Sequence, residues 1–412
     1  MSAVFNSRTT APRPGHAVVV GTGVVGLSAA LGCAQRGLDV TLLGPLPAAA
    51  APVGPSRGPA ADAMPWDARI YALSPATVAF LEQQRAWPQV DAARVCAVER
   101  MEIRGDDGGR LAFDAPAADA SRLASICEES QLVRALWLAC TLTPGITHRV
   151  RGFDSVDFPG ENAAVPRPRV RLDDGAVLDA DLLIGADGRQ SAVRAAAGIG
   201  ARLGDYGHTA LVANFATQLP HGGVARQWFM DEGVLALLPL PGRRVSLVWS
   251  APHALAPLLM ELPAADFAHR VAQRAGHALG ALELLGARHS FVLHRVVVER
   301  LVRAGVVLLG DAAHVVHPLA GQGLNLGLQD VSEFLRVLDA REPWRALGDA
   351  VWLRRYARAR AEPVALMRAT VDGLARLFGA PDDGLRRLRN LGLSAVDAIG
   401  PLKLALVRHA MG

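Results

Sequence analysis

Lysine is almost missing from this 412-residue chain: Lys403 is the only one, and arginine supplies the other 42 of its 43 basic side chains. Aromatic residues make up only 5%, and no arginine-rich run is interleaved with them. The formal charge of +4 and the pI of about 9.2 therefore do not describe a nucleic-acid surface, which stacks bases on aromatic rings. Cysteine is scarce as well. Cys33, Cys96, Cys127 and Cys140 form no CxxC pair and no metal-ligand spacing, so neither a redox disulfide nor a metal centre is expected. They read as reduced, buried, small apolar side chains, which points to a cytoplasmic setting. No apolar run approaches the ~18 residues of a membrane span. Residues 1–15 lack the apolar core of a signal peptide and read as a frayed tail. What is abundant is apolar side chains (51%) and glycine (41 residues), a globular composition over a length that calls for two or three domains.

Hydrophobic patterning divides the chain. His16–Val20 is a short apolar run that predicts a buried parallel strand, Val24–Arg36 a helix stopped by Gly37, and Asp39–Leu43 a second strand. Residues 44–65 read as a loop. Strands flank the turn Gly105–Gly109, a helix is expected over Leu123–Leu142, and a hairpin turns at Asp173-Asp174-Gly175. Leu182–Ile184 and Val306–Leu309 are further buried strands. Leu211–Ser250 alternates as antiparallel sheet, and helices follow from about Leu324. The expectation is an α/β fold: parallel βα elements at both ends enclosing a mixed, largely antiparallel middle.

Three glycine-bearing elements carry chemistry. Gly21-Thr22-Gly23-Val24-Val25-Gly26 follows a strand and opens a helix, the arrangement in which glycines bring backbone and helix N-terminus up to a dinucleotide pyrophosphate. The acid that normally ends the second strand and holds the ribose hydroxyls is missing; Gly44 stands there. Restoring it as Gly44→Glu is expected to tighten dinucleotide binding. The second element runs from Asp181 through Gly185-Ala186-Asp187-Gly188 to Arg194. It reads either as a cofactor turn or as a helix cap after a strand. In the third, a strand ends in Gly310-Asp311 and a turn, His317-Pro318-Leu319-Ala320-Gly321-Gln322-Gly323-Leu324-Asn325, opens a helix. Its Asp can accept hydrogen bonds from a polyol, and its amides can face an anionic ring edge.

In this order the elements resemble the dinucleotide, DG and GD fingerprints of the group A flavoprotein aromatic monooxygenases, and more closely the ubiquinone-biosynthesis FAD-dependent hydroxylase family. Asp67–Ser74, Gly233–Trp249, His317–Asp330 and Leu388–Gly412 each resemble stretches of that family, so the likeness runs from about residue 16 to 412.

The resemblance implies an FAD-binding Rossmann-like domain from segments 15–78, 118–194 and 296–345, interleaved with a mixed-sheet substrate domain, 79–117 and 195–295, and a helical extension, 346–412. It implies FAD, reduced by NAD(P)H, which captures O2 as a flavin hydroperoxide and hydroxylates a hydrophobic phenolic quinone precursor carrying a polyprenyl tail. Gly21, Gly23, Val25 and Gly26 would meet the diphosphate, and Gly310 and Asp311 the ribityl chain. Pro318, Gly321, Gly323, Leu324 and Asn325 would line the isoalloxazine, Asp187 and Gly188 support the pyrophosphate and the reductant side, and Arg69 sit near the cofactor. Glu129 departs from the amide usual at the start of a flavin-contacting helix. His317 and Pro318 are the catalytic candidates. His317 reads either as the base that activates a phenol or as a neutral histidine bonded to its loop. Trp228, Phe229, Leu235, Leu237, Pro239 and Trp249 read as a pocket wall or as plain core. Other functions in view are hydroxylation of a different aromatic and a silent, flavin-binding assembly subunit. A flavin halogenase is excluded, since Lys403 is the only lysine and its WxWxIP stretch is absent.

The basic excess is local. From Leu353 onward the chain carries a net +6 within its total of +4, including Arg354, Arg355, Arg358, Arg360 and Arg386–Arg389. Two readings stand: a solvated helical face, or a docking surface for anionic lipid at the inner membrane or for partners in a biosynthetic complex.

Overall fold

The computed structural model describes residues 15–50, 65–158, 167–317 and 322–379. Apolar runs with both faces covered form its central six-stranded sheet, in the order Val302–Arg303, Val306–Leu308, Leu182–Gly185, His16–Val20, Asp39–Leu43, Ile146–Arg149. All neighbours are parallel except the first pair. Burial on both sides explains why these strands read as continuous runs rather than as alternation. The register places Val20 opposite both Leu43 and Gly185, and Gly185 opposite Leu308. Three turns far apart in sequence therefore leave the sheet side by side at its carboxyl edge, where ligands of open α/β sheets bind.

The helix Val24–Ala34 is buried almost all round, packed among the sheet and the helices Glu129–Thr141 and Gln322–Asp339. The long helix Ala350–Gly379 seats Trp352 and Tyr356 against Phe334 of the Gln322–Asp339 helix. Arg360 belongs to this core and not to a surface. It is 5% exposed and donates through Nε to Asp330 at 2.7 Å. Arg355 pairs with Glu342, which leaves Arg354 and Arg358 as the exposed cations of that stretch, while Arg386 onward lies outside the described residues.

The middle is an eight-stranded sheet, antiparallel except where Val224–Met230 runs parallel to Arg100–Arg104; it runs from His314–Val315 and Leu282–Val298 through Ala201–Thr217, Arg244–Pro252, Gly233–Leu240 and Val224–Met230 to Arg100–Arg104 and Arg110–Asp114. One face packs Phe215, Leu247 and Trp249 onto the helices Ala256–Glu261 and Ala264–Arg274. The other face turns toward a three-stranded sheet, Ile70–Leu73, Ala124–Glu128 and Cys96–Val98.

Two expectations are corrected. The stretch Leu123–Leu142 is not one helix: Ala124–Glu128 is a strand paired antiparallel on both sides, and the helix starts at Glu129. A short apolar run such as Ala-Ser-Ile-Cys suits either state, and two waiting strand edges decide it. Cys33, Cys127 and Cys140 are buried, but Cys96 is only half-buried. Burial pushes the Cys33 thiol up to about 12, so it stays protonated.

Candidate active site

A single cavity of about 1220 Å³ runs from the carboxyl edge of the parallel sheet across the open face of the antiparallel one. Its two ends differ in chemistry. One is walled by Gly23, Asp187, Gly188, Asp311 and Gly323, the other by Val98, Met101, Phe113, Leu123 and Leu238.

The glycines at the first end do two jobs. A Cβ on Gly21, which has φ +119°, would lie 2.2 Å from the Ala186 carbonyl oxygen, and one on Gly26 would lie 2.0 Å from that of Gly21. These two glycines let strand, turn and helix close on one another. A Cβ on Gly23, Gly188 or Gly323 would meet nothing within 4 Å, and all three line the cavity. These glycines leave bare backbone facing the cavity. Val25 locks the first element to the third: Cβ atoms on Gly310 and Gly327 would stand 3.1 and 2.9 Å from its methyls.

Asp311 faces the cavity and has no hydrogen-bond partner among the described residues. It is accessible through the cavity, yet the surrounding protein raises its carboxyl above the usual range, with His314, Arg69 and Arg189 opposing the rise. The turn that carries it is pinned from behind. Asp330, fully buried, accepts from the Gly310 N–H at 3.0 Å and from Arg360, and lies 2.7 Å from His314 Nε2. Sequence patterning gave neither Asp330 nor His314 this work.

Arg69 reaches the cavity because the chain before it is clamped. Glu128, fully buried, takes Arg94 at 2.6 and 2.7 Å and the Asp67 N–H at 2.9 Å. Arg69 then lies 3.4 Å from Glu129 and 5.2 Å over the Phe291 ring. Tyr71 donates to the same Glu129 at 3.3 Å. The acid that departs from the family pattern is thus held by two neighbours at the cavity wall.

Asp187 has a second employment. It accepts from the Ser191 hydroxyl at 2.5 Å and the Val193 N–H at 3.1 Å, capping the helix Ala192–Ala196 as the cap reading of the second element expects, and it also lines the cavity. Asn325 is 1% exposed, and its side chain accepts from the Ser74 N–H and donates to the Ala72 C=O, tying the helix Gln322–Asp339 to the Ile70–Leu73 strand. Leu324 lines the cavity; Pro318 and Gly321 lie outside the described residues.

His317 is 3% exposed, and its Nε2 pairs with Ser250 Oγ at 3.1 Å, on the sheet and not on its own loop. Burial, with His208 adding to it, holds the imidazole down at about 4, so it is neutral near pH 7. Its backbone N–H donates to Tyr206 Oη at 3.1 Å, and the Tyr206 hydroxyl donates to Asp372 on the long C-terminal helix at 2.9 Å. Sequence patterning contained no hint of Ser250, Tyr206 or Asp372.

The pocket-wall reading of six apolar residues fails. Trp228, Leu235, Leu237 and Trp249 pack into the core on the far side of the sheet, and neither Phe229 nor Pro239 lines the cavity. Their alternates do: Val234, Ala236, Leu238 and Val248. Successive strand residues face opposite ways, and Trp228 and Trp249 took the helix-covered side.

The residues fit a flavin dinucleotide: bare glycine backbone at three turns, a free carboxylate beside them, and an adjoining apolar chamber. The comparisons agree. A family model described as an FAD-binding domain matches residues 128–367. The ubiquinone hydroxylase UbiL of Rhodospirillum rubrum is 34% identical over 98% of this chain and 91% of its own. The 3-demethoxyubiquinol 3-hydroxylase of Escherichia coli is 34% identical over 97% of this chain and 99% of its own. Among solved structures, Pseudomonas aeruginosa PqsL superposes with TM-score 0.74 at 23% identity, covering 92% of this chain and 99% of its own. Klebsiella pneumoniae HpxO, complexed with FAD and uric acid, gives 0.71 at 19% identity, with 96% and 97% covered. These two share the fold. With an FAD-binding core and relatives of that kind over its whole length, this chain belongs to the ubiquinone-biosynthesis family of FAD-dependent hydroxylases.

Proposed function

We propose that this monooxygenase hydroxylates the aromatic ring of a polyprenylated phenolic intermediate of ubiquinone synthesis, using O2 and NAD(P)H. The observation that carries the reading is the two-ended cavity, polar and glycine-walled at the parallel sheet, and mostly apolar from Val98 to Leu238, with Arg226 and Gln227 the polar side chains on that wall. Bound FAD, reduced by the nicotinamide, supplies the activated oxygen; the rest is the work of this chain. Gly21, Gly23, Val25 and Gly26 shape the turn for the diphosphate, with Asp187 and Gly188 beside it toward the reductant. Gly310 and Asp311 take the ribityl hydroxyls. Pro318, Gly321, Gly323, Leu324 and the Asn325 backbone would border the ring system, and Arg69 would sit near it. The Met101, Phe113 and Leu123 end excludes water and receives the prenyl tail.

In this reading segments 15–78, 118–194 and 296–345 serve the cofactor, 79–117 and 195–295 the substrate, and 346–412 is a C-terminal extension. No helix among the described residues is long and apolar enough to cross a membrane. A tail dissolved in lipid favours reversible docking of the basic C-terminal stretch on the inner membrane's anionic surface or on a biosynthetic complex. Liposome co-sedimentation that survives removal of residues 386–412 would contradict that docking.

The test of the substrate is metabolic. A strain lacking this protein is expected to accumulate a prenylated phenol one hydroxylation short, seen by mass spectrometry and cleared when the gene returns. An unchanged quinone profile would remove the substrate assignment.

A further inference from the structure

The floor of the substrate chamber is built by three adjacent strands whose cavity-facing residues are Ala210 and Val212, Val234 and Ala236, and Val248 and Ser250. Ser250 is the one polar side chain of that set, and register puts it directly across from Ala210 on one side and Val234 on the other. A lone hydroxyl on an apolar floor costs free energy unless it is paired, and its partner is the imidazole of His317.

The pairing fixes who donates. His317 Nδ1 is buried without a hydrogen-bond partner among the described residues. A proton there would strand a buried N–H, whereas a proton on Nε2 strands only a lone pair, the lesser cost. His317 Nε2–H therefore donates to Ser250 Oγ, and the Ser250 O–H is left without an acceptor among the described residues. The imidazole is held in place by the Tyr206 hydroxyl on its backbone N–H and by the Tyr206 ring, edge-on at 4.9 Å.

Resting on the proposed hydroxylase reading, we infer that Ser250 orients the substrate by donating its hydroxyl hydrogen to the ring's phenolic oxygen, with His317 as a positioning residue behind it. The bond aims the ring over a stretch of floor that is otherwise apolar. It favours the ionised phenol, because a donor stabilises the charged oxygen more than the neutral one. His317 is then not the base, and the proton leaves the phenol toward solvent in the cavity.

The test uses FAD-loaded protein and 4-nitrophenol, whose phenol and phenolate absorb at different wavelengths. Wild type is expected to bind the probe with its phenolate band moved to shorter wavelength. Ser250→Ala is expected to lose that shift and bind about tenfold more weakly, the size of one charge-assisted hydrogen bond. Ser250→Thr, which keeps the hydroxyl, is expected to restore both. His317→Leu should copy Ser250→Ala, and His317→Gln, whose amide can donate in place of Nε2–H, should recover part. A general packing defect would not sort the variants by hydroxyl. Equal affinity and band position in wild type and Ser250→Ala, or a Ser250→Thr as weak as Ser250→Ala, would overturn the inference. So would FAD-loaded wild type that ignores the probe, a result that leaves the cofactor reading standing. Protein that never takes up FAD would sink both.

Discussion

Gly44 stands where most dinucleotide-binding turns carry an acid, and a Cβ on it would lie 3.0 Å from Thr22 Cγ2. Its φ is +146°, a conformation that side chains rarely adopt, and Thr22 is itself held by a 2.8 Å hydrogen bond to the Pro45 carbonyl. The glycine is a backbone requirement of this turn. Gly44→Glu is therefore expected not to tighten FAD binding, against the simpler expectation from sequence, and to destabilise the fold by about 1–3 kcal/mol. Thermal unfolding with and without FAD checks both. A stable variant with a lower FAD dissociation constant would reverse this conclusion.

Gly21 and Gly23 separate packing from ligand approach. Gly21→Ala drives its methyl into the Ala186 carbonyl and is expected to cost stability even without FAD. Gly23→Ala meets open space, so the apo fold should hold within about 1 kcal/mol while FAD affinity falls at least about tenfold. Denaturant unfolding of the apo forms beside flavin titration reads the contrast. Equal apo losses in the two variants would refute it.

Asp330 should behave as a buried hub. Burial alone would raise its carboxyl, but His314 and Arg360 outweigh that and hold it below its ordinary value. Its contribution is therefore present above the usual carboxylate range and is lost as pH falls through the lowered native value. Asp330→Asn leaves Arg360 unpaired and is expected to cost about 3–5 kcal/mol, with the Asp330→Leu, Arg360→Met double variant recovering part. Its acid unfolding limb should also flatten. A double variant no better than the single one would argue against the hub.

His317 gives a second pH signature, in a different window. Its ordinary value of 6.5 is depressed to about 4 in the fold, so between those values the unfolded chain takes up a proton that the native one refuses. Stability is expected to fall by about 2 kcal/mol between about pH 7 and pH 5 from this residue alone. In His317→Gln that part of the slope disappears. Denaturant midpoints at the two pH values, wild type against variant, measure it; parallel slopes would show that His317 does not titrate as described.

Local chemistry made much of this molecule legible. The strands His16–Val20, Asp39–Leu43 and Leu182–Gly185 announce themselves because they are apolar end to end, and the glycine turns because few residues fit them. What stayed hidden depends on partners far away in sequence. Ala124–Glu128 is a strand because two edges meet it. Ser250 matters because a turn 67 residues on brings His317 to it. The choice between chamber wall and plain core stayed open for Trp228, Leu235, Leu237 and Trp249, which are core: period-two alternation shows that a strand has two faces, but not which face the helices cover. Arg360 looked like surface charge until Asp330, on another helix, took it inside.

The most direct measurement is one turnover under isotopically labelled O2. Purified protein loaded with FAD is reduced with NAD(P)H, mixed with a prenylated phenol and the labelled gas, and followed by absorbance and mass spectrometry. Bleaching of the flavin spectrum, its return on oxygen, and a phenol heavier by one labelled oxygen atom are expected. A flavin that cycles while every phenol comes back unlabelled, or a protein that stays colourless with FAD, would contradict the assignment of this cavity to aromatic hydroxylation.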